Sequence, residues 1–142
     1  MHEIFIQTDD QRAIIETVQR FVAEEVTPRA AELDANTNPE DSYSWEIVEK
    51  AHEVGIRQMT LNEEYGGLGT DSLTTSMVIE ELGKGDLGVS VIFAQTLKIA
   101  QIMQAALNEE QRNRVLPNFA EDPRGMLGIG ITEPDNASNY FI

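Results

Sequence analysis

Two short stretches hold most of the side chains that could take part in chemistry. Ile129-Gly130-Ile131-Thr132-Glu133-Pro134 runs into Asp135-Asn136-Ala137-Ser138-Asn139, so hydroxyls, carboxylates, amides and backbone donors crowd together near the end of the chain. Glu63-Glu64-Tyr65-Gly66-Gly67-Leu68-Gly69 sets three glycines within four residues, a backbone that needs positive φ or close approach by another segment. The chain has no cysteine, which removes disulfide frameworks, thiolate metal sites and cysteine nucleophiles together. Its two histidines, His2 and His52, lie far apart in sequence, so no multi-histidine metal site is expected. Chemistry here falls to carboxylates, hydroxyls or a bound cofactor.

Charge narrows the partners. The 142 residues carry 25 acidic and 10 basic side chains, a formal net charge of -15, which repels nucleic-acid phosphates and anionic lipid headgroups. Hydrophobic residues make up 41%, enough for a real core. The N-terminal Met-His-Glu-Ile-Phe shows neither a basic nor an apolar targeting region, and no run reaches the roughly 18 apolar residues of a membrane span. With the missing cysteines, this fits a soluble protein of the reducing cytoplasm.

The positioning elements read mainly as helices. Thr8-Asp9-Asp10-Gln11 has capping-box form, and Ile14, Val18, Phe21, Val22 and Val26 then recur on one face, with Pro28 expected to kink or split the run. Ser44 is placed to cap a short helix ending at Gly55, with Trp45, Val48, Ala51 and His52 on one face. Asp71 or Ser72 caps another; Gly83, Gly85 and Gly88 interrupt before the long apolar run from Val89 to Leu107, in which Lys98 is the single charge. That run predicts a helix buried on most sides. Asn108-Glu109-Glu110-Gln111 repeats the capping box and opens a helix expected to stop near Leu116-Pro117. From Gly125 the apolar period becomes two, which predicts a strand with no partner, the first piece of a sheet. The expected architecture is an up-and-down bundle of about five or six helices over residues 1–123, followed at 124–142 by the start of a truncated β domain.

Three segments in fixed order carry a resemblance. Glu63-Glu64-Tyr65-Gly66-Gly67-Leu68-Gly69, then Asn108-Glu109-Glu110-Gln111 running to Leu116-Pro117, then Ile131-Thr132-Glu133-Pro134 with Ser138, together resemble the N-terminal helical domain and first middle-domain strand of the acyl-CoA dehydrogenases. The likeness spans essentially the whole chain. It implies an FAD enzyme of fatty acid metabolism that takes the α-hydrogen of an acyl thioester as a proton and the β-hydrogen as hydride. It also implies a homo-oligomer, a tetramer in the family, that passes electrons to an electron-transfer flavoprotein. The family's base is a glutamate of its C-terminal helical domain, so no catalytic residue is assigned here, and Glu80, Glu81 and Glu133 are not nominated.

The resemblance also implies site residues. Ile129, Gly130, Ile131, Thr132, Ala137 and Ser138 correspond to the flavin-contacting segment, with Thr132 near the pyrimidine end of the ring and Ser138 between the pyrophosphate and the thioester. Read by itself, Thr132 is a β-branched residue that suits a strand. The family's usual glycine and aspartate are here Ala137 and Asn139, which puts the turn geometry and the ordinary dehydrogenase branch in question. Ser90, Phe93, Ala94 and Leu97 match the helix that borders the acyl pocket, and equally suit an ordinary core. Tyr65 and its glycines read best as architecture. Two other functions stay open: a non-catalytic module or partner subunit of a heteromeric assembly, and a flavin-dependent oxygenase or oxidase of the same fold.

Overall fold

A computed structural model describes residues 8–132 and 134. Glu133, Ala137 and Ser138 therefore lie outside the described residues, as does the rest of the turn-rich stretch. Six α-helices are found among the described residues: α1 (Asp9–Phe21), α2 (Thr27–Ala35), α3 (Trp45–Glu53), α4 (Ser72–Gly85), α5 (Leu87–Ala106) and α6 (Glu109–Glu121).

Local chemistry starts most of them. Thr8 and Gln11 exchange side chain for backbone at the head of α1, and Asn108 and Gln111 do the same for α6, so both capping boxes form as the spacing predicts. Ser44, Asp71 and Asp86 each accept a backbone N–H at the start of α3, α4 and α5. Pro28 splits the first run as expected, but through a π turn: Val22–Val26 widens to i→i+5 pairing, and α2 begins with Pro28 in its first turn, where its missing N–H costs nothing. Ile15 is buried on α1 beside Val18 and Phe21, whereas Ile14 is only partly buried.

The core forms where α4 and α5 pack antiparallel across the single residue Asp86, with Ser90 Oγ donating to the Ile79 carbonyl at 2.9 Å. α1 runs beside α4 in the same direction, Gln11 Nε2 donating to Thr74 Oγ1 at one end and Val22 lying under Gly85 at the other. A Cβ on Gly85 would stand 2.6 Å from Val22 Cγ1, so that corner closes only over glycine. Val18, Val26, Val78, Leu82, Phe93 and Leu97 fill this core.

A second, smaller core joins Leu61, Tyr65, Ala100, Leu116, Phe119 and Ala120. The glycine loop builds it. Gly67 passes so close to the Leu61 carbonyl that a Cβ would meet it at 2.1 Å, while Gly69 N–H donates to the same oxygen at 2.7 Å. Tyr65 is buried there, in the architectural role its motif suggests.

Several expectations along α4, α5 and α6 need correction. α6 does not stop at Pro117 but runs on to Glu121, because Leu116, Phe119 and Ala120 are buried and Arg57 takes up carbonyls in its last turn. Gly83 lies inside α4, and α5 starts at Leu87 rather than Val89. Finally, α5 is not buried on most sides: Leu87, Val91 and Ile102 are exposed by 73%, 52% and 45%. At 20 residues and mean hydropathy 1.2 it has the length and composition of a membrane span, contrary to the reading of the sequence, but here its other face packs as core. From Gly125 the described chain carries neither helix nor ladder. A strand needs a neighbour to pair with.

Candidate functional site

The segment from Gly125 is placed by one buried cation. Arg57 follows α3 in a tight turn, is fully shielded from solvent, and donates to the carbonyls of Phe119 and Ala120 at 2.9 Å and of Gly125 at 2.8 Å. Its guanidinium also lies over the Phe119 ring, 4.5 Å from the centroid. Since arginine has only donors, the 3.0 Å contact with His52 Nδ1 makes that nitrogen the acceptor and puts the ring proton on Nε2. Burial lowers the Arg57 pKa and the nearby Asp122 carboxylate opposes that shift. The arrangement caps α6 and fixes the point from which the chain leaves the helices.

Beyond that point the chain lies along α5. Leu127 N–H donates to Thr96 Oγ1 at 3.4 Å, and Thr96 Oγ1 is 3.8 Å from Met126 Sδ. Val91, Ile92, Gln95 and Thr96 of α5, with Met126 and Leu127, wall an apolar groove of about 420 Å³ that Tyr43, Trp45 and Val48 close from the far side. Tyr43 and Trp45 meet edge to face at 5.2 Å, and Arg124 lies over Trp45 while pairing with Glu49.

The expected site residues divide into two groups. Ile129, Gly130, Ile131 and Thr132 are exposed, Ile129 by 47% and Ile131 by 48%, and among the described residues none of them makes a hydrogen bond. Ser90, Phe93 and Leu97 are buried in the helical core, Ser90 with its hydroxyl committed to Ile79. Phe93 reaches the floor of a separate 260 Å³ pocket near Tyr43 and Asp86. Ala94 is half-buried and faces away from that pocket, toward Lys98, Gln101 and α4. Phe93 and Ala94 thus line two different pockets, and neither pocket includes Ser90 or Leu97.

The residues present fit one end of a flavin. A Cβ added to Gly128 or Gly130 would meet nothing within 4 Å, so a flat ring could lie against this segment, with unpaired backbone donors and the Thr132 hydroxyl at its edge. For phosphates the described segment offers no cation, since Arg57 is turned inward onto carbonyls. The sequence reading missed Arg57, Thr96 and the Tyr43–Trp45 rim. Arg57 bonds residues 62 to 68 positions away, and no local pattern signals a contact of that range. Tyr43-Ser44-Trp45 does carry a signal: two aromatics flanking a cap residue, at the edge of a helix.

Comparison with known proteins bears on this geometry. The profile of the family "Acyl-CoA dehydrogenase, N-terminal domain" matches residues 8–122. A probable medium-chain specific acyl-CoA dehydrogenase of Caenorhabditis briggsae is 31% identical over 136 residues, covering 95% of this chain and 32% of that protein. The butyryl-CoA dehydrogenase of Megasphaera elsdenii superposes with a TM-score of 0.80 at 25% identity, over 96% of this chain and 35% of that one. A chain in the structure of the electron transferring flavoprotein of Acidaminococcus fermentans gives 0.79 at 26% identity, over 96% and 35%. The chain thus spans about a third of the length of the relatives it matches. With the helical order, the glycine loop and the exit at Gly125 all in place, this chain belongs to the acyl-CoA dehydrogenase family and carries its N-terminal helical domain.

Proposed function

We propose that this chain forms the helical wall and the first flavin-facing segment of an FAD-dependent acyl-CoA dehydrogenase, which converts an acyl-CoA thioester to its α,β-unsaturated product. The observation that carries it is the delivery of the open Gly128–Thr132 segment beside the apolar face of α5, with Arg57 holding the exit. Bound FAD supplies the acceptor for the β-hydrogen as hydride. Thr132 and the backbone of Ile129–Ile131 would hold the flavin, offering neutral donors that favour its more negative reduced form. The apolar stripe of α5 would keep water from the acyl chain, and Ser138, outside the described residues, would serve the pyrophosphate and the thioester.

The α-proton is taken by a group outside this chain. Glu80 and Glu81 of α4 both pair with Lys84, at 3.6 and 2.6 Å, and neither is assigned as the base. A homotetramer, an electron-transfer flavoprotein as acceptor and a cytoplasmic location complete the reading. The likeness to a chain in an electron transferring flavoprotein structure supports that acceptor. A spectral titration tests the proposal: the protein isolated with its flavin is mixed with an acyl-CoA, and the flavin absorption band shifts as the thioester binds. A band unmoved by any acyl-CoA contradicts it.

A further inference from the structure

Lys98 is the one charge on α5 and stands in its exposed apolar stripe. Leu87, Val91, Ala94, Lys98 and Ile102 recur at three- and four-residue steps and so share a face. Five other cations, Arg12, Arg29, Lys50, Lys84 and Arg124, pair with carboxylates, and Arg57 and Arg112 donate to backbone carbonyls. Lys98 has no ion pair or hydrogen bond with any described residue. Arg20 and Arg114 share that condition, but neither stands in an apolar stripe of a core helix.

The ammonium borders a depression of about 340 Å³ between α4 and α5, walled by Ser72, Thr75, Ser76, Ile79, Ala94 and Gln101. Thr75 and Ser76 have already given their hydroxyl protons to the carbonyls of Asp71 and Ser72, at 2.8 and 2.7 Å. The side-chain donors left at this wall are therefore the Lys98 ammonium, the one charged donor, with the Gln101 amide and the Ser72 hydroxyl, neither of which has a side-chain partner among the described residues. An apolar tail laid over this stripe would strip water from the ammonium and return nothing to it, which is costly. A carboxylate at the end of the tail removes that cost, and the ammonium attracts it locally against the repulsion that a chain of net charge -15 exerts on an anion.

We propose that the depression at Lys98 seats an anionic carboxylate at the far end of the acyl group, so that the substrate class is the thioesters of dicarboxylic acids. This rests on the acyl-CoA reading above and names its substrate. Lys98 is then the specificity-determining residue, with Gln101 as second donor and Ala94 leaving room for the chain.

The test uses the flavin-loaded protein and two thioesters of equal carbon count, hexanoyl-CoA and adipyl-CoA, with binding measured by isothermal titration calorimetry. Adipyl-CoA binds tighter by about 10-fold, the scale of one charge-assisted hydrogen bond. Lys98→Met abolishes the preference and Lys98→Arg keeps it. Since Lys98 is exposed, both variants fold. Equal binding of the two thioesters, or a preference that survives Lys98→Met, overturns the inference and leaves the acyl-CoA reading standing. Binding of neither thioester overturns both.

Discussion

Arg57 and Gly125 are fitted to each other: Arg57 Nη1 donates to the Gly125 carbonyl at 2.8 Å, and a Cβ at position 125 would stand 3.2 Å from the same nitrogen. A side chain at position 125 would crowd the guanidinium. The pair joins the turn after α3 to the exit from α6, and so ties the helical core to the segment proposed to face the flavin.

Removing that clamp destabilises the helices. Arg57→Met leaves the carbonyls of Phe119, Ala120 and Gly125 without their donor, at a cost of about 3 kcal/mol, whereas Arg57→Lys keeps the charge, loses the fork and costs about 1–2 kcal/mol. Urea unfolding followed by far-UV circular dichroism ranks them. Equal stability of the two variants would contradict the clamp.

Gly85→Ala tests the corner between α4 and the π turn. Alanine favours helix by up to about 1 kcal/mol, but its methyl would sit 2.6 Å from Val22 Cγ1, and overpacking against a stiff β-branched residue costs about 1–3 kcal/mol. Steric crowding wins, and the midpoint of thermal unfolding falls. A rise would mean that the corner relaxes freely.

The ion cluster of Glu25, Arg29, Glu46 and Lys50 gives a pH signature. The hydrogen bond from Lys50, then that from Arg29, holds the Glu25 carboxyl below its ordinary value against a desolvation that pushes it up. Its contribution is present above the unfolded value of about 4.3 and is lost as pH falls through the lower folded value. Lys50 is raised, first by Glu25 and then by Glu46, so its contribution is complete below about 10.4 and is lost above the raised value. Glu25→Gln is therefore less stable than the parent at pH 7, and the difference closes as pH drops below about 4. A difference that persists at low pH would point to packing rather than charge.

Thr132→Val separates cofactor tuning from folding. The side chain is exposed, so stability changes by no more than about 0.5 kcal/mol. Loss of one donor at the reduced ring, worth about 1 kcal/mol, lowers the two-electron potential of the bound flavin by about 20 mV. Spectroelectrochemistry reads the shift, and an unchanged potential would leave Thr132 with its strand-forming role alone.

What could be read in the sequence was mostly local. The two capping boxes, the caps at Ser44 and Asp71 and the left-handed Gly55, at φ 80°, depend on residues within a few positions of each other and appear where the pattern puts them. Pro117 and Gly83 were misleading for the same reason: their local effect is real, but burial of Leu116 and Phe119 and the α4–α5 contact outweigh it. Arg57 was illegible because its partners are distant in sequence. The stripe on α5 was illegible because periodicity cannot show which side of an all-round apolar helix lacks a neighbour. Of the candidate site, Ile129–Thr132 could be named only through resemblance, and the burial of Ser90, Phe93 and Leu97 emerges only from packing.

The central claim is that this helical domain serves α,β-dehydrogenation of an acyl-CoA. The most direct measurement is anaerobic incubation of the flavin-loaded protein with an acyl-CoA, reading the flavin absorbance and the mass of the thioester together. The account predicts loss of the oxidised flavin band in step with a thioester lighter by two hydrogens. A flavin that stays oxidised beside an unaltered thioester would contradict it.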